Sequence, residues 1–80
     1  MLTEETAVYP VFANAYLVEA KSTSKEYDIY LRAITHRKEP RQYAIGDFVG
    51  EHIFSSDSWV EILLPDGRKA YGETSLFTSN

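Results

Sequence analysis

The eighty-residue chain is predicted to fold as a mainly β domain, a small antiparallel barrel. Three observations carry that expectation. Residues 59–64 (Trp-Val-Glu-Ile-Leu-Leu) alternate with the two-residue period of a strand and run into Pro65-Asp66-Gly67-Arg68, a turn sequence. Residues 27–33 alternate in the same way. Six tyrosines and four phenylalanines favour strands, because aromatic side chains suit a pleated, half-buried surface.

Residues 1–6 are polar and acidic and are expected to fray. Residues 7–20 allow two readings. As a helix, the segment would carry Pro10 near its first turn and place Ala13, Ala15 and Ala20 favourably. As a strand, Tyr16 and Val18 alternate with Leu17 and Glu19, and residues 21–25 become a hairpin turn. The strand is preferred because residues 26–33 offer a convincing partner; it would extend the barrel edge.

The second strand covers residues 26–35. Tyr27, Ile29, Leu31 and Ala33 share one face; Asp28, Tyr30, Arg32 and Ile34 share the other. A charged loop follows, His36-Arg37-Lys38-Glu39-Pro40-Arg41-Gln42. After Gly46-Asp47, residues 48–54 read as a strand whose alternation is broken at Gly50 and Glu51, the mark of a bulge or a sharp bend. The polar run Ser55-Ser56-Asp57-Ser58 turns the chain into the hairpin.

Within the hairpin, Val60, Ile62 and Leu64 form the core face, while Trp59, Glu61 and Leu63 point the other way. Pro65 has no N–H for the ladder and ends the strand; Gly67 adopts positive φ without a Cβ clash. The chain returns through Lys69-Ala70-Tyr71-Gly72, and after a short turn Leu76-Phe77 closes the core. The predicted core includes Tyr27, Ile29, Leu31, Val60, Ile62 and Phe77.

Gly46-Asp47, Trp59 and Gly67-Arg68 stand in an order and at gaps that resemble the Src-homology-3 domains and their bacterial relatives. In that family a Gly-Asp pair opens the second strand, a Trp opens the third, and a Gly-Arg turn follows. The resemblance spans residues 26–77 and implies that residues 27–33 form the first strand, with residues 36–42 as the long loop flanking the ligand groove. It also implies that Trp59 lines a groove for proline-rich peptides.

The rest of that groove does not carry over. Leu31 and Ala33 stand where the family has two tyrosines, and Glu73 and Leu76 replace a late proline and tyrosine. Arg37, Lys38 and Arg41 replace acidic loop residues. Ordinary proline-rich-peptide binding is therefore not expected. Glu51 and Gly72 fall where the family buries aliphatic side chains. Because a buried, unpaired carboxylate is costly, either the register shifts by one around Gly50 or Glu51 finds a partner.

Length and composition bound the rest. Residues 1–80 are expected to form one domain, with 1–25 as an N-terminal extension and 26–77 as the barrel. The chain has no cysteine, hence no disulfide and no thiolate metal site, which fits a reducing compartment. It shows neither an apolar run of membrane-spanning length nor a basic-then-apolar start, so the cytoplasm is the default location. Twelve acidic against eight basic residues give a net charge of −4, and nucleic-acid binders more often carry a basic excess.

No catalytic pattern is present. The chain lacks a nucleophile elbow, a phosphate-binding glycine loop and a His-Glu-x-x-His motif, so no enzyme activity and no cofactor are expected. His36 and His52 are too few and too unsupported for a metal site; His36 is read as a loop residue and His52 as a surface residue of a strand. The basic cluster Arg37, Lys38 and Arg41 is either a solvated loop or a contact for an acidic partner or phosphate.

Together these features predict a non-enzymatic protein-interaction module, or a small subunit or regulator of a larger assembly. Its contact face would be Trp59, Leu63 and Tyr71, rimmed by Arg37, Lys38 and Arg41, because exposed aromatics around an apolar anchor are what interface hot spots use. The same side chains could instead be covered by the N-terminal segment. The alternative class is a nucleic-acid-binding small β-barrel, with arginines and aromatics tracking a strand.

Overall fold

A three-stranded antiparallel meander forms the centre of the molecule, in a computed structural model that describes residues 8–79. The fraying expected of residues 1–6 lies outside the described residues. In chain order the strands are β1 (Pro10–Ala13), β2 (Leu17–Lys21), β3 (Ile29–Ala33), β4 (Phe48–Ser55), β5 (Trp59–Leu63), β6 (Lys69–Glu73) and β7 (Phe77–Thr78). One 3₁₀ turn, Thr74–Leu76, precedes β7. The described residues contain no α-helix; where a helix or a strand was possible, Pro10–Ala13 and Leu17–Lys21 are strands.

The β5–β6 hairpin forms where the sequence places it. Gly67 has φ 94°, its N–H donates to the Leu64 carbonyl at 2.9 Å, and the Leu64 N–H donates to the Arg68 carbonyl at 2.9 Å. This is a three-residue loop closed by a left-handed glycine. Between β4 and β5 the chain turns over residues 56–58, where the Ser56 N–H donates to the Trp59 carbonyl at 2.9 Å. Val60, Ile62, Leu64 and Ala70 pack inward with Ile29, Leu31, Val49, Leu17, Val11 and Ala13. Of the predicted core, Ile29, Leu31, Val60 and Ile62 are buried. Phe77 packs partly against the core, whereas Tyr27 does not belong to it.

All seven strands join one sheet in the order β2-β3-β6-β5-β4-β1-β7. Two features depart from the predicted antiparallel barrel. First, β3 runs parallel to β6, with Ile29, Tyr30 and Leu31 beside Ala70, Tyr71 and Gly72. Second, the edge strands β2 and β7 are not paired with each other, so the sheet is mostly antiparallel but not closed.

It must still curl strongly. Three residues link β1 to β2, yet the two strands lie five positions apart in the ladder. Five spacings of about 4.8 Å would place them roughly 24 Å apart in a flat sheet. So short a link reaches only about 14 Å.

Of the N-terminal segment, β2 adds a strand at the sheet edge as expected, whereas β1 is built in more deeply. β1 lies between β4 and β7. β2 pairs with β3 along its whole length, from Leu17 opposite Ala33 to Lys21 opposite Ile29. The loop between them is longer than predicted, because β3 begins at Ile29 and not at residue 26. Serine hydroxyls hold it: Ser22 Oγ accepts from the Ser24 N–H at 3.0 Å, and Ser24 Oγ from the Glu26 N–H at 3.1 Å.

β4 carries the irregularity that Gly50 and Glu51 announced, and carries it twice. Phe12 faces Phe48 and Val11 faces Gly50, which leaves Val49 extra. His52 faces Ile62 and Phe54 faces Glu61, which leaves Ile53 extra. The first bulge puts Val49 and Gly50 both inside and turns Glu51 out, so the register shift, not a buried partner, resolves its position. The same shift corrects the expectation for His52. It is 1% exposed, stacked on Tyr9 with ring centroids 4.3 Å apart, and its Nε2 lies 3.0 Å from Ser55 Oγ. His36 is exposed in its loop, as predicted.

Candidate functional site

Strand register decides which outward side chains become neighbours. Across the outer face, Phe54 stands opposite Glu61, Glu61 opposite Tyr71, and Tyr71 beside Tyr30. Trp59 stands opposite Glu73 in the next row. The chain just before β3 is held to β6 by the Asp28 N–H, which donates to the Lys69 carbonyl at 2.9 Å, and by the Asp28 carboxylate, which accepts from the Lys69 N–H at 3.2 Å. That anchoring brings the Tyr27 ring over the sheet.

The rings form one cluster. Tyr27 lies 4.7 Å from Tyr71 and 5.9 Å from Trp59; Tyr30 lies 5.1 Å from Tyr71. Trp59 meets Tyr71 edge-on at 6.5 Å and Phe54 at 5.8 Å. Such tilted and edge-on pairs are favourable because each ring has a negative face and a positive edge. The cluster is half-buried and lines an open cleft of about 440 Å³ with Ser24, Ser58, Gly72 and Glu73. Gly72 has no room for a Cβ, which would come within 2.7 Å of the Leu31 carbonyl oxygen and 2.9 Å of the Phe77 ring.

The cleft is electrostatically negative. The pKa of Tyr27 is pushed upward, first by burial and then by the neighbouring carboxylate of Glu61 and the charge of Glu26. The phenol therefore stays protonated throughout the physiological range.

The structure separates the six residues expected to share one contact face. Trp59 and Tyr71 meet in the cleft. Leu63 does not join them: it is four residues along β5, about 13 Å at strand rise, and 38% exposed in a shallow depression with Phe48, Glu51 and Pro65. Sharing a face with Trp59 does not make it a neighbour. Arg37 and Arg41 line a different groove, and Lys38 is exposed outside both. None of the three cations forms an ion pair with a described residue.

Two cleft residues, Tyr27 and Tyr30, were missed as site residues. Tyr27 was assigned to the core because the strand was started too early. Tyr30 was on the outer face by period, but only the parallel β3–β6 pairing places it beside Tyr71. Leu31 and Ala33, which stand at the family's tyrosine positions, are elsewhere: Leu31 in the core and Ala33 in the other groove.

No family model, curated protein or solved structure matches the chain. Among the described residues, no group of three His, Asp or Glu side chains is placed to hold a metal ion.

Proposed function

We propose that the chain is a non-enzymatic protein-interaction module, acting as a small subunit or regulator of a larger assembly, and that it takes its partner on the Tyr27–Tyr30–Trp59–Tyr71 cleft. The observation that carries this reading is the four-ring cluster lining an open cleft on the sheet's outer face. Aromatic residues in a central pocket supply most of the energy at protein interfaces. The carboxylates of Glu61 and Glu73 beside the rings suit a basic or polar protein segment and repel phosphate.

Kinship with the Src-homology-3 domains is part of the same proposal. It is supported by Gly46-Asp47 at the entry to β4, Trp59 at the start of β5 and Gly67-Arg68 in the turn to β6, three consecutive antiparallel strands. The kinship must run through β1 as the strand flanking β4, in place of residues 27–33. Ordinary proline-rich recognition is not proposed, because the late proline of the groove is absent. The nucleic-acid alternative is disfavoured by the carboxylates at the rings.

Affinity capture from native lysate, with the wild-type chain and with Tyr30→Ser as baits, tests the reading. A protein partner retained by the wild type and lost from a folded Tyr30→Ser variant supports it. Capture of nucleic acid, or of a protein that ignores Tyr30, defeats it. A panel of PxxP peptides titrated against Trp59 fluorescence should show no saturable micromolar binding.

A further inference from the structure

We propose a second, independent binding site: an aliphatic groove with a cationic rim that accepts an acidic peptide segment carrying an apolar anchor side chain. The groove, about 600 Å³, is lined by Ala15, Tyr16, Ala33, Ile34 and Ile45, with Arg37 and Arg41 at its rim. Ile45 is 58% exposed and Tyr16 48%, an unusual cost for apolar side chains that share one concavity.

The groove is built firmly. Its floor is the corner between β1 and β2 together with the end of β3, tied where the Ile34 N–H donates to the Tyr16 carbonyl at 2.9 Å. The wall bearing Ile45 is fixed on both sides. The Gly46 N–H donates to the Ala13 carbonyl at 2.8 Å, and the Ala44 N–H donates to the Asp47 carboxylate at 2.9 Å.

The rim is positive because its one carboxylate is already engaged. Glu39 accepts from the Thr35 N–H at 2.5 Å, the Thr35 hydroxyl at 2.8 Å and the His36 N–H at 3.2 Å, and it pairs with Arg32 at 2.5 Å. Arg37, Lys38 and Arg41 are left without an acidic partner among the described residues. The Arg41 guanidinium lies 5.4 Å above the Tyr16 ring, which holds the charge over the mouth of the groove. An aliphatic floor beneath cations fits a Leu, Ile or Phe flanked by Asp or Glu. A phosphate backbone would leave that floor unfilled.

The test is selection of a displayed random peptide library on the whole chain, followed by anisotropy titration of the enriched peptides at two salt concentrations. The expected consensus is acidic residues around one apolar residue, with affinity falling as salt rises. The exposed variants Ile45→Asp and Arg37→Glu/Arg41→Glu should each weaken binding at least about tenfold while keeping the wild-type circular dichroism. Tyr30→Ser, in the aromatic cleft, should leave it unchanged, so this site stands or falls separately from the first. The proposal is overturned if no acidic consensus emerges, if the groove variants bind as the wild type does, or if a single-stranded oligonucleotide competes as strongly as the peptides.

Discussion

The aromatic cleft and the aliphatic groove both draw on β3, which supplies Tyr30 to one and Ala33 to the other. They are made by different means. In the cleft, strand pairing sets residues from β3, β5 and β6 side by side, and the rings then support one another. In the groove, the β1–β2 link and the long 34–47 connection bring aliphatic side chains together, and hydrogen bonds from backbone N–H groups hold the shape. Their charges are opposite as well: Glu26, Glu61 and Glu73 near the cleft, Arg37 and Arg41 at the groove. One small sheet can therefore present two surfaces of contrary character, provided the first depends on register and the second on loop anchoring.

Disturbing the sheet itself should erase both surfaces at once. Ile62 is fully buried on the inner face of β5, and Ile62→Ala should cost about 2–5 kcal/mol, a large share of the stability of so small a domain. Chemical denaturation would show it, and a loss below about 1 kcal/mol would mean that the sheet is not the common support.

Gly72→Ala should act more selectively. The added Cβ meets the Leu31 carbonyl and the Phe77 ring, so the variant should lose about 1–3 kcal/mol. In NMR spectra its largest shift changes should fall at Tyr30 and Tyr71 and not at Ile45. Equal changes at both places would break the distinction.

Trp59→Ala should cost about 1–3 kcal/mol, because it removes edge-on contacts to Tyr27 and Tyr71 and a tilted one to Phe54. The acidic-peptide groove should remain intact in that variant. The smallest effect concerns Glu39. Chiefly its bond to Arg32, then those to Thr35 and His36, hold its carboxyl at about 2, below the ordinary 4.5. A depressed folded-state value stabilises above the ordinary one and is lost as pH falls through the folded one. The 35–39 loop should therefore loosen between about pH 4.5 and pH 2, followed through the Glu39 carboxyl resonance, while the rings of the cleft stay unmoved.

What could be read from the residues was what neighbouring residues decide among themselves. The hairpin turning at Pro65–Arg68 and the broken alternation at Gly50 are local, and both are present; the strand preferred over a helix for residues 7–20 appears as β1 and β2. Trp59 and Tyr71 were legible as neighbours on the outer face because one hairpin joins them. Tyr30 was not, because its place depends on a parallel pairing between residues about forty positions apart. His52 was misplaced because one extra residue in a strand inverts every side chain beyond it. Leu63 was misplaced because periodicity reports a side and not a distance.

The parallel seam has a kinetic consequence. Its anchoring bond joins residues 41 positions apart, Asp28 and Lys69, while the β5–β6 and β2–β3 hairpins close over short loops. Bringing the seam together costs about 3 kcal/mol of loop entropy before its contacts repay anything, so it should form after both hairpins. Tyr30 reaches Tyr71 only through that seam. The cleft is thus completed only after both hairpins have formed, and under the proposed function a partner seated there would hold the seam shut. Unfolding measured by stopped flow should slow when a cleft ligand is present and stay unchanged when the groove alone is filled.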